Sequence, residues 1–253
     1  MALPKRSDRE ILLKDAESLG LDLSQSQVVK LLDYARLLRE WNLRMNLISR
    51  RDIENLVPGH LMDSLAGVPV LKRLFEVDPE NKAVSLVGQA RGMARDDTAP
   101  TRPPKVMDLG SGGGLPGIPL KICLPQIDLT LVESTKKKAR FLETAVRELG
   151  LKGVTVVDRH SREIEKDACH RGKYDTVTAR AVAELKDLVM LAIPFLGPGG
   201  RLLAYKGPKA EEEILRARGI LRKLGAIIET SENMAWPGLE STKRILIIQF
   251  FWL

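Results

Sequence analysis

The stretch VMDLGSGGGLPGIPL, residues 106–120, puts five glycines into eight positions, Gly110 to Gly117, straight after a short apolar run that reads as a strand. A plain turn needs one or two glycines, and every further one costs conformational entropy on folding. Such density points to a backbone that something must approach closely. Downstream, strand-like runs VMDLG, DLTLVES, VTVVDRH, YDTVTARA, RLLAYKG, AIIETSE and RILIIQFFWL are interleaved with helical runs IPLKICL, KKKARFLETAVRELG, ELKDLVMLAIPFL and EEEILRARGILRKLG. That alternation predicts βαβ units and a mostly parallel α/β sheet with helices on both faces. Ligands of such sheets bind at the carboxyl ends of the strands. The loops after Leu109, Val132, Asp158 and Ala179 are therefore expected to line one site.

Upstream the pattern changes. Residues 5–48 read as helical, with Leu31, Leu32, Ala35, Leu38 and Trp41 at helical spacing. A second helix is expected from about Ile53 to Phe75, with breaks at Pro58-Gly59 and Pro69. The stretch 78–104, containing GQARGMARDDTAPTRPP, has no period and reads as a loop or insertion. The organisation expected is a helical N-terminal cap (1–77), the insertion (78–104) and a ligand-binding sheet domain (105–253).

The chain has 253 residues, 44% of them hydrophobic, enough for a substantial core. Its net charge of +7 and pI near 9.4 favour a polyanionic partner, nucleic acid first. Two lone cysteines, Cys123 and Cys169, and three histidines show no metal-ligand spacing, so no metal and a reducing, cytoplasmic setting are expected. The charged start MALPKRSDRE has no apolar run behind it, and the longest apolar stretch, Leu188 to Leu196, is interrupted by Pro194. No signal peptide and no membrane association are expected.

Two loop patterns compete for the glycine-rich segment. Gly112, Gly114 and Gly117 fit GxGxxG, the dinucleotide fingerprint; Asp108, Gly110, Gly112 and Gly114 fit DxGxGxG, a motif of S-adenosylmethionine (SAM) methyltransferases. Charge separates them. A dinucleotide sets an anionic pyrophosphate against the loop, which Asp108 would repel. SAM carries an ammonium, a carboxylate and a sulfonium, so a carboxylate at the strand end helps, directly or through water. Glu133, ending the second strand, can accept both ribose hydroxyls, although NAD enzymes place an acid there too. A ligand-free tight turn is the third reading. The expected fold is thus a Rossmann-like, SAM-dependent methyltransferase sheet with a helical cap.

Residues for two common methyl-transfer chemistries are missing. Neither cysteine follows a proline, as a cytosine-C5 nucleophile typically does, and the loop after the fourth strand reads TARAVAEL where amine methyltransferases carry [DN]PP[FYW]. A nucleophile needing no activation, such as guanine N7, remains, and catalysis is then mostly positioning. Arg180, after the fourth strand, is placed to grip guanine O6, the usual bidentate partner of arginine; a surface ion pair is its plainer reading. A small-molecule or protein substrate stays open as the alternative.

EWNLRMNLISRRD (40–52), HLMDSL (60–65), VMDLGSGGGLPGIPL, KKKARFLE, TARAVA and AYKG together resemble the glucose-inhibited division protein B family of bacterial small-subunit rRNA methyltransferases, from about Leu37 to the end. The resemblance implies methylation of guanine N7 in 16S rRNA with SAM, leaving S-adenosylhomocysteine. It implies SAM contacts at Gly110 and Leu115, Glu133 on the ribose, and His160 and Ser161 near the adenine. It places Arg180 at the SAM and substrate site, and Asn46, His60, Asp63, Lys206 and Arg244 at positions shaping the guanine and RNA surface. Arg180 and Asn46 are the expected catalytic pair. This chain departs from the family in having Ser161 where an acid is usual, and in a longer insertion.

His60 beside Asp63 also reads as a structural hydrogen-bonded pair. Basic residues gather at Arg36, Arg39, Arg44, Arg50 and Arg51, at Lys136, Lys137, Lys138, Arg140 and Arg147, and at Arg159, Arg162, Lys166, Arg171 and Lys173. Each cluster is either a solvated face or part of a rim that tracks phosphates. Arg44, Arg50, Arg51, Lys136, Lys137, Lys138, Arg140 and, from the resemblance, Lys206 are the expected RNA contacts. Aromatic content is only 4%, which argues against base stacking as the main binding mode. The partner expected is 16S rRNA or the small ribosomal subunit, bound by a monomer.

Overall fold

A computed structural model describes residues 6–49, 52–75, 102–237, 239 and 242–251. Most of the insertion therefore lies outside the described residues. The cap opens with α1 (Asp8–Ser18) and α2 (Gln25–Asn42). Each begins at a serine, Ser7 or Ser24, whose hydroxyl accepts the N3 amide while the N3 side chain returns to the serine N–H. The helical run read from 5 to 48 is thus interrupted at Gly20, whose φ is +70°. A π-helical turn (Leu56–Leu61) leads into α3 (Met62–Leu65) and α4 (Gly67–Phe75). The break expected at Pro69 falls at Ala66, between α3 and α4, because Pro69 has no N–H to donate to the Leu65 carbonyl. Pro58-Gly59 sit inside the π-helical turn.

The sheet domain runs β1 (Lys105–Leu109), α5 (Gly117–Cys123), β2 (Asp128–Val132), α6 (Lys136–Glu148), β3 (Val154–Val157), α7 (Ser161–Ile164), β4 (Tyr174–Arg180), α8 (Leu185–Ala192), β5 (Leu196–Lys206), α9 (Ala210–Lys223), β6 (Ala226–Met234) and β7 (Lys243–Phe250). The strand order is β3-β2-β1-β4-β5-β7-β6. The first five strands are parallel, and β7 joins β5 antiparallel with β6 outside it.

Both faces of the sheet are covered, which is why the strands read as near-continuous apolar runs. Alternation sorts their side chains. Val106, Leu203, Tyr205, Ile245 and Ile247 join the cap helices, α5 and α6 in one core. Met107, Leu109, Val177, Ala179, Leu202, Ala204, Leu246 and Ile248 join α8 and α9 in the other. The cap therefore shares a continuous core with the sheet. No helix among the described residues is long and apolar enough to cross a membrane.

Candidate functional site

After Leu109 the chain reverses through Gly110, Gly112 and Gly114, at φ of 65°, 57° and 88°. Gly110 has two reasons to lack a side chain: its left-handed backbone, and Val182, whose Cγ2 would lie 2.9 Å from an added Cβ. At Gly117 an added Cβ would come 2.5 Å from Leu131 Cδ2. Gly113 needs neither conformation nor space, since a Cβ there would make ordinary contact with Leu38 and Leu47. Much of the glycine density thus serves the loop's own geometry and packing.

Several groups pin this loop. Ser111 N–H donates to Val132 O at 3.0 Å. Tyr34 of α2, fully buried, donates its hydroxyl to Gly113 O at 2.5 Å. Glu133 accepts Gly112 N–H at 2.9 Å on Oε2 and Thr135 N–H at 2.7 Å on Oε1. Each of its oxygens keeps a lone-pair direction for a further donor.

Asp108 is fully buried. Its Oδ1 accepts the Thr178 hydroxyl at 2.9 Å and its Oδ2 the Gly117 N–H at 3.2 Å. Burial pushes its pKa up to about 6, against the pull of those bonds and of nearby Arg180. The direct contact with a ligand ammonium considered from the sequence gives way to a charge set beneath the loop.

Strand alternation explains the opposite wall. Asp108 is in register with Thr178, and Arg180 with Tyr205 and hence Ile245, so Arg180 and Lys243 share the cap-facing side. There Asp63 of α3 accepts Arg180 Nη1 at 2.9 Å and lies 3.3 Å from Lys243 Nζ. The Arg180–Asp63 pair is largely buried, at 14% and 8% side-chain exposure, and is no surface ion pair. Tyr205 Oη donates to Ser64 O at 3.2 Å and Trp236 Nε1 to Pro58 O at 2.9 Å, fastening the cap over the strand ends. The expected His60–Asp63 hydrogen bond does not form, because Asp63 faces two cations. His60 Nδ1 is buried without a hydrogen-bond partner among the described residues, and burial, with Arg180 adding to it, lowers the imidazole pKa to about 4.

The remaining predicted residues divide. Leu115 is buried beside the loop. Asn46 is exposed in the segment after α2, which Asn42 shapes by accepting Leu47 N–H and Ile48 N–H at 2.8 and 2.9 Å. His160 caps α7, its Nδ1 accepting Arg162 N–H at 3.2 Å, and Ser161 is the first residue of that helix. Arg44, Lys136, Lys137 and Arg140 are exposed and Lys138 half-buried, all without an ion pair among the described residues. Arg50 and Arg51 lie outside the described residues.

Lys206 corrects its expected role. It is buried and alternates onto the face away from the cap, where its ammonium donates to Ala183 O and Glu213 Oε2, both at 2.7 Å. Two of its three N–H donors are committed and little of the side chain is open to a phosphate. Arg244, in register with Lys206, bonds Glu211 on the same face. Tyr34 and Lys243 are the participants that the sequence reading missed. Tyr34 reads only as one more apolar position of α2, whereas Lys243 shares the alternation of Ile245 and Ile247 and was legible as an inward cation.

Among the described residues, no group of three or more His, Cys, Asp or Glu side chains could hold a metal. The donor set suits SAM better than an anion. Acids end both β1 and β2, a tight loop without phosphate-binding cations lies between them, and an added Cβ at Gly112 would meet nothing closer than Gly110 O at 3.8 Å. Strand order, glycine loop and acid placement together define a SAM-dependent methyltransferase.

Comparison with known proteins narrows this class. The family model described as rRNA small subunit methyltransferase G matches residues 27–78 and 95–234, so its gap falls within the insertion. The ribosomal RNA small subunit methyltransferase G of Roseiflexus castenholzii is 38% identical over 238 residues, covering 94% of this chain and 90% of that protein. The protein of the same name from Ralstonia nicotianae is 38% identical over 241 residues, covering 95% and 94%. The chain belongs to the rRNA small subunit methyltransferase G family. It is a SAM-dependent methyltransferase of small-subunit rRNA, which sets aside the small-molecule and protein alternatives.

Proposed function

We propose that the chain methylates N7 of a guanine in 16S rRNA, acting as a cytoplasmic monomer, and that it does so by positioning alone. Bound SAM supplies an electrophilic methyl group on a sulfonium. In this reading Gly110, Gly112, Gly114 and Leu115 form the cradle for the donor, with Glu133 on its ribose hydroxyls. Asp108 sets the negative potential beneath the loop, and His160 and Ser161 border the adenine.

The observation that carries the reading is the absence of a poised base among the described side chains around the loop. Asp108 is buried between two donors, Asp63 faces two cations, and Glu133 accepts two amides. His60 is held neutral with a pKa near 4 and its Nδ1 buried. Guanine N7 has a free lone pair and no proton to lose, so it requires none of these groups. Arg180 commits one nitrogen to Asp63 and keeps further guanidinium donors for guanine O6. Asn46 adjoins Leu47, whose Cβ would lie 3.7 Å from a Cβ on Gly113, so it stands at the rim of the same loop.

The RNA surface proposed is α6 with the segment after α2. Trp41 meets Phe141 edge-on at 5.6 Å, which brings the end of α2 and Arg44 beside α6. Lys136, Lys137 and Lys138 occupy the first turn of α6, where no acid stands and the helix dipole disfavours cations. A phosphate there relieves that repulsion and meets a helix N-terminus as well.

The test is methyl transfer from labelled SAM to small ribosomal subunits and to naked 16S rRNA, both lacking the modification, followed by nucleoside analysis. Label in 7-methylguanosine is expected. Label in another nucleoside would overturn the N7 assignment.

A further inference from the structure

The segment after β4 forms the second wall of the site under visible strain. Ala181 has φ 56°, a left-handed conformation that residues with a Cβ rarely adopt. Val182 next to it overhangs Gly110. Strain of this kind persists only where the surroundings over-determine it, and here the restraint comes from the far face of the sheet. Lys206, the last residue of β5, donates to Ala183 O at 2.7 Å and to Glu213 Oε2 at 2.7 Å. The same Oε2 accepts Leu185 N–H at 2.8 Å. The two side chains are 7% and 16% exposed. Their backbone partners flank Glu184, the residue from which α8 starts.

An apolar pair could pack β5 against α9 as well as this ion pair does, without its desolvation cost. It could not hold a carbonyl and an amide of the intervening segment at once. We propose that Lys206 and Glu213 are positioning residues for the methyl-donor site: a buried clamp that holds residues 180–185, and with them Arg180 and Val182, against the glycine loop. The proposal rests on the chain's use of SAM and is independent of which RNA atom receives the methyl group.

The test is the double variant Lys206→Met with Glu213→Leu in the full chain, which leaves neither charge buried alone. The two backbone groups lose their partners but no charge is left buried alone, so the protein is expected to remain folded with a thermal midpoint lowered by several degrees. Hydrogen exchange at the amides of 181–185, measured without ligand, is expected to speed up about tenfold, and the calorimetric Kd for SAM to rise about tenfold, as preorganisation is lost. KM for SAM should rise and kcat should fall as Arg180 loosens, and Lys206→Arg, which retains the charge and several donors, should recover most of the SAM affinity. Parental exchange rates with parental SAM affinity in the double variant would overturn the proposal. Should that variant not fold, Lys206→Met with Glu213→Gln keeps an acceptor for Leu185 and still leaves no charge unpaired. The same two measurements apply to it, with smaller shifts expected and unchanged values again overturning the proposal. Failure to find 7-methylguanosine would touch only the target atom, since exchange and SAM affinity are read without RNA.

Discussion

The glycine loop after β1 and the segment after β4 face each other across one site but are held in different ways. The loop takes its shape mostly from left-handed glycines within it and from Asp108, Ser111 and Glu133 close by in sequence, with Tyr34 and, through Asp108, Thr178 as distant fastenings. The opposite segment has no such local code. Arg180 is fixed by Asp63 from the cap, Lys243 from β7 shares that carboxylate, and Ala183 and Leu185 are tied through Lys206 and Glu213. One wall is a motif; the other is an assembly of four distant elements. A motif tolerates change outside itself, whereas an assembly transmits changes made far away.

The largest expected effect breaks the assembled wall. Arg180→Ala is expected to lower methyl transfer by ~10³-fold, the scale of losing a preorganised electrostatic contact. The fold should survive, because Lys243 still faces Asp63 at 3.3 Å. Turnover on small subunits beside circular dichroism checks both, and near-normal turnover would move the guanine grip elsewhere.

The next experiment breaks the motif and compares two of its glycines. Gly110→Ala meets Val182 and requires φ +65°, so it should lose about 1–2 kcal/mol of stability and weaken SAM binding. Gly113→Ala should change stability by no more than about 0.5 kcal/mol, since its added Cβ finds ordinary contacts at 3.6 and 3.7 Å. Equal losses at both positions would mean that glycine density, and not loop geometry, is what matters.

The third sharpens the role of Asp108. With a pKa near 6 it is mostly ionised at pH 7.5 and mostly neutral at pH 5, so SAM affinity should fall severalfold across that range. Asp108→Asn should bind SAM weakly with little pH dependence from this position. Stability runs the other way. A carboxyl raised from about 4 to about 6 contributes stability that is present below pH 4 and is lost as pH rises through 6. His60, lowered from 6.5 to about 4, contributes stability that is present above pH 6.5 and is lost as pH falls through 4. Urea unfolding of Asp108→Asn between pH 4.5 and 7 should therefore show stability climbing with pH more steeply than in the parent.

The smallest effect lies outside both walls. Lys137→Ala should weaken RNA binding modestly and lower its salt slope by about 1, leaving SAM affinity unchanged. An unchanged salt slope would take this lysine out of the phosphate path.

The glycine loop was legible because its signal is local: Asp108, the glycines and Glu133 lie within 26 consecutive residues and each has a role that its type announces. Arg180 was legible by position, at the end of the fourth strand. What Arg180 and Lys206 bond to was not. Lys206 stands within a motif and carries the charge of an RNA contact, yet strand alternation turns it to the face opposite the cap, onto Glu213. His60 and Asp63 lie three residues apart in HLMDSL and read as a pair, but Asp63 turns to cations that arrive from β4 and β7.

By itself the sequence determined the alternating α/β architecture, the donor loop and the family to which the chain belongs. Hydrophobic period and backbone freedom are properties of neighbouring residues, and they survive being read in one dimension. Only the tertiary structure decided that Asp108 lies under the loop, that Asp63 is shared between Arg180 and Lys243, and that Lys206 braces the segment after β4. Burial and ion pairing depend on which side chains from distant elements reach the same dry volume, and that is settled when the sheet closes between the cap and α9.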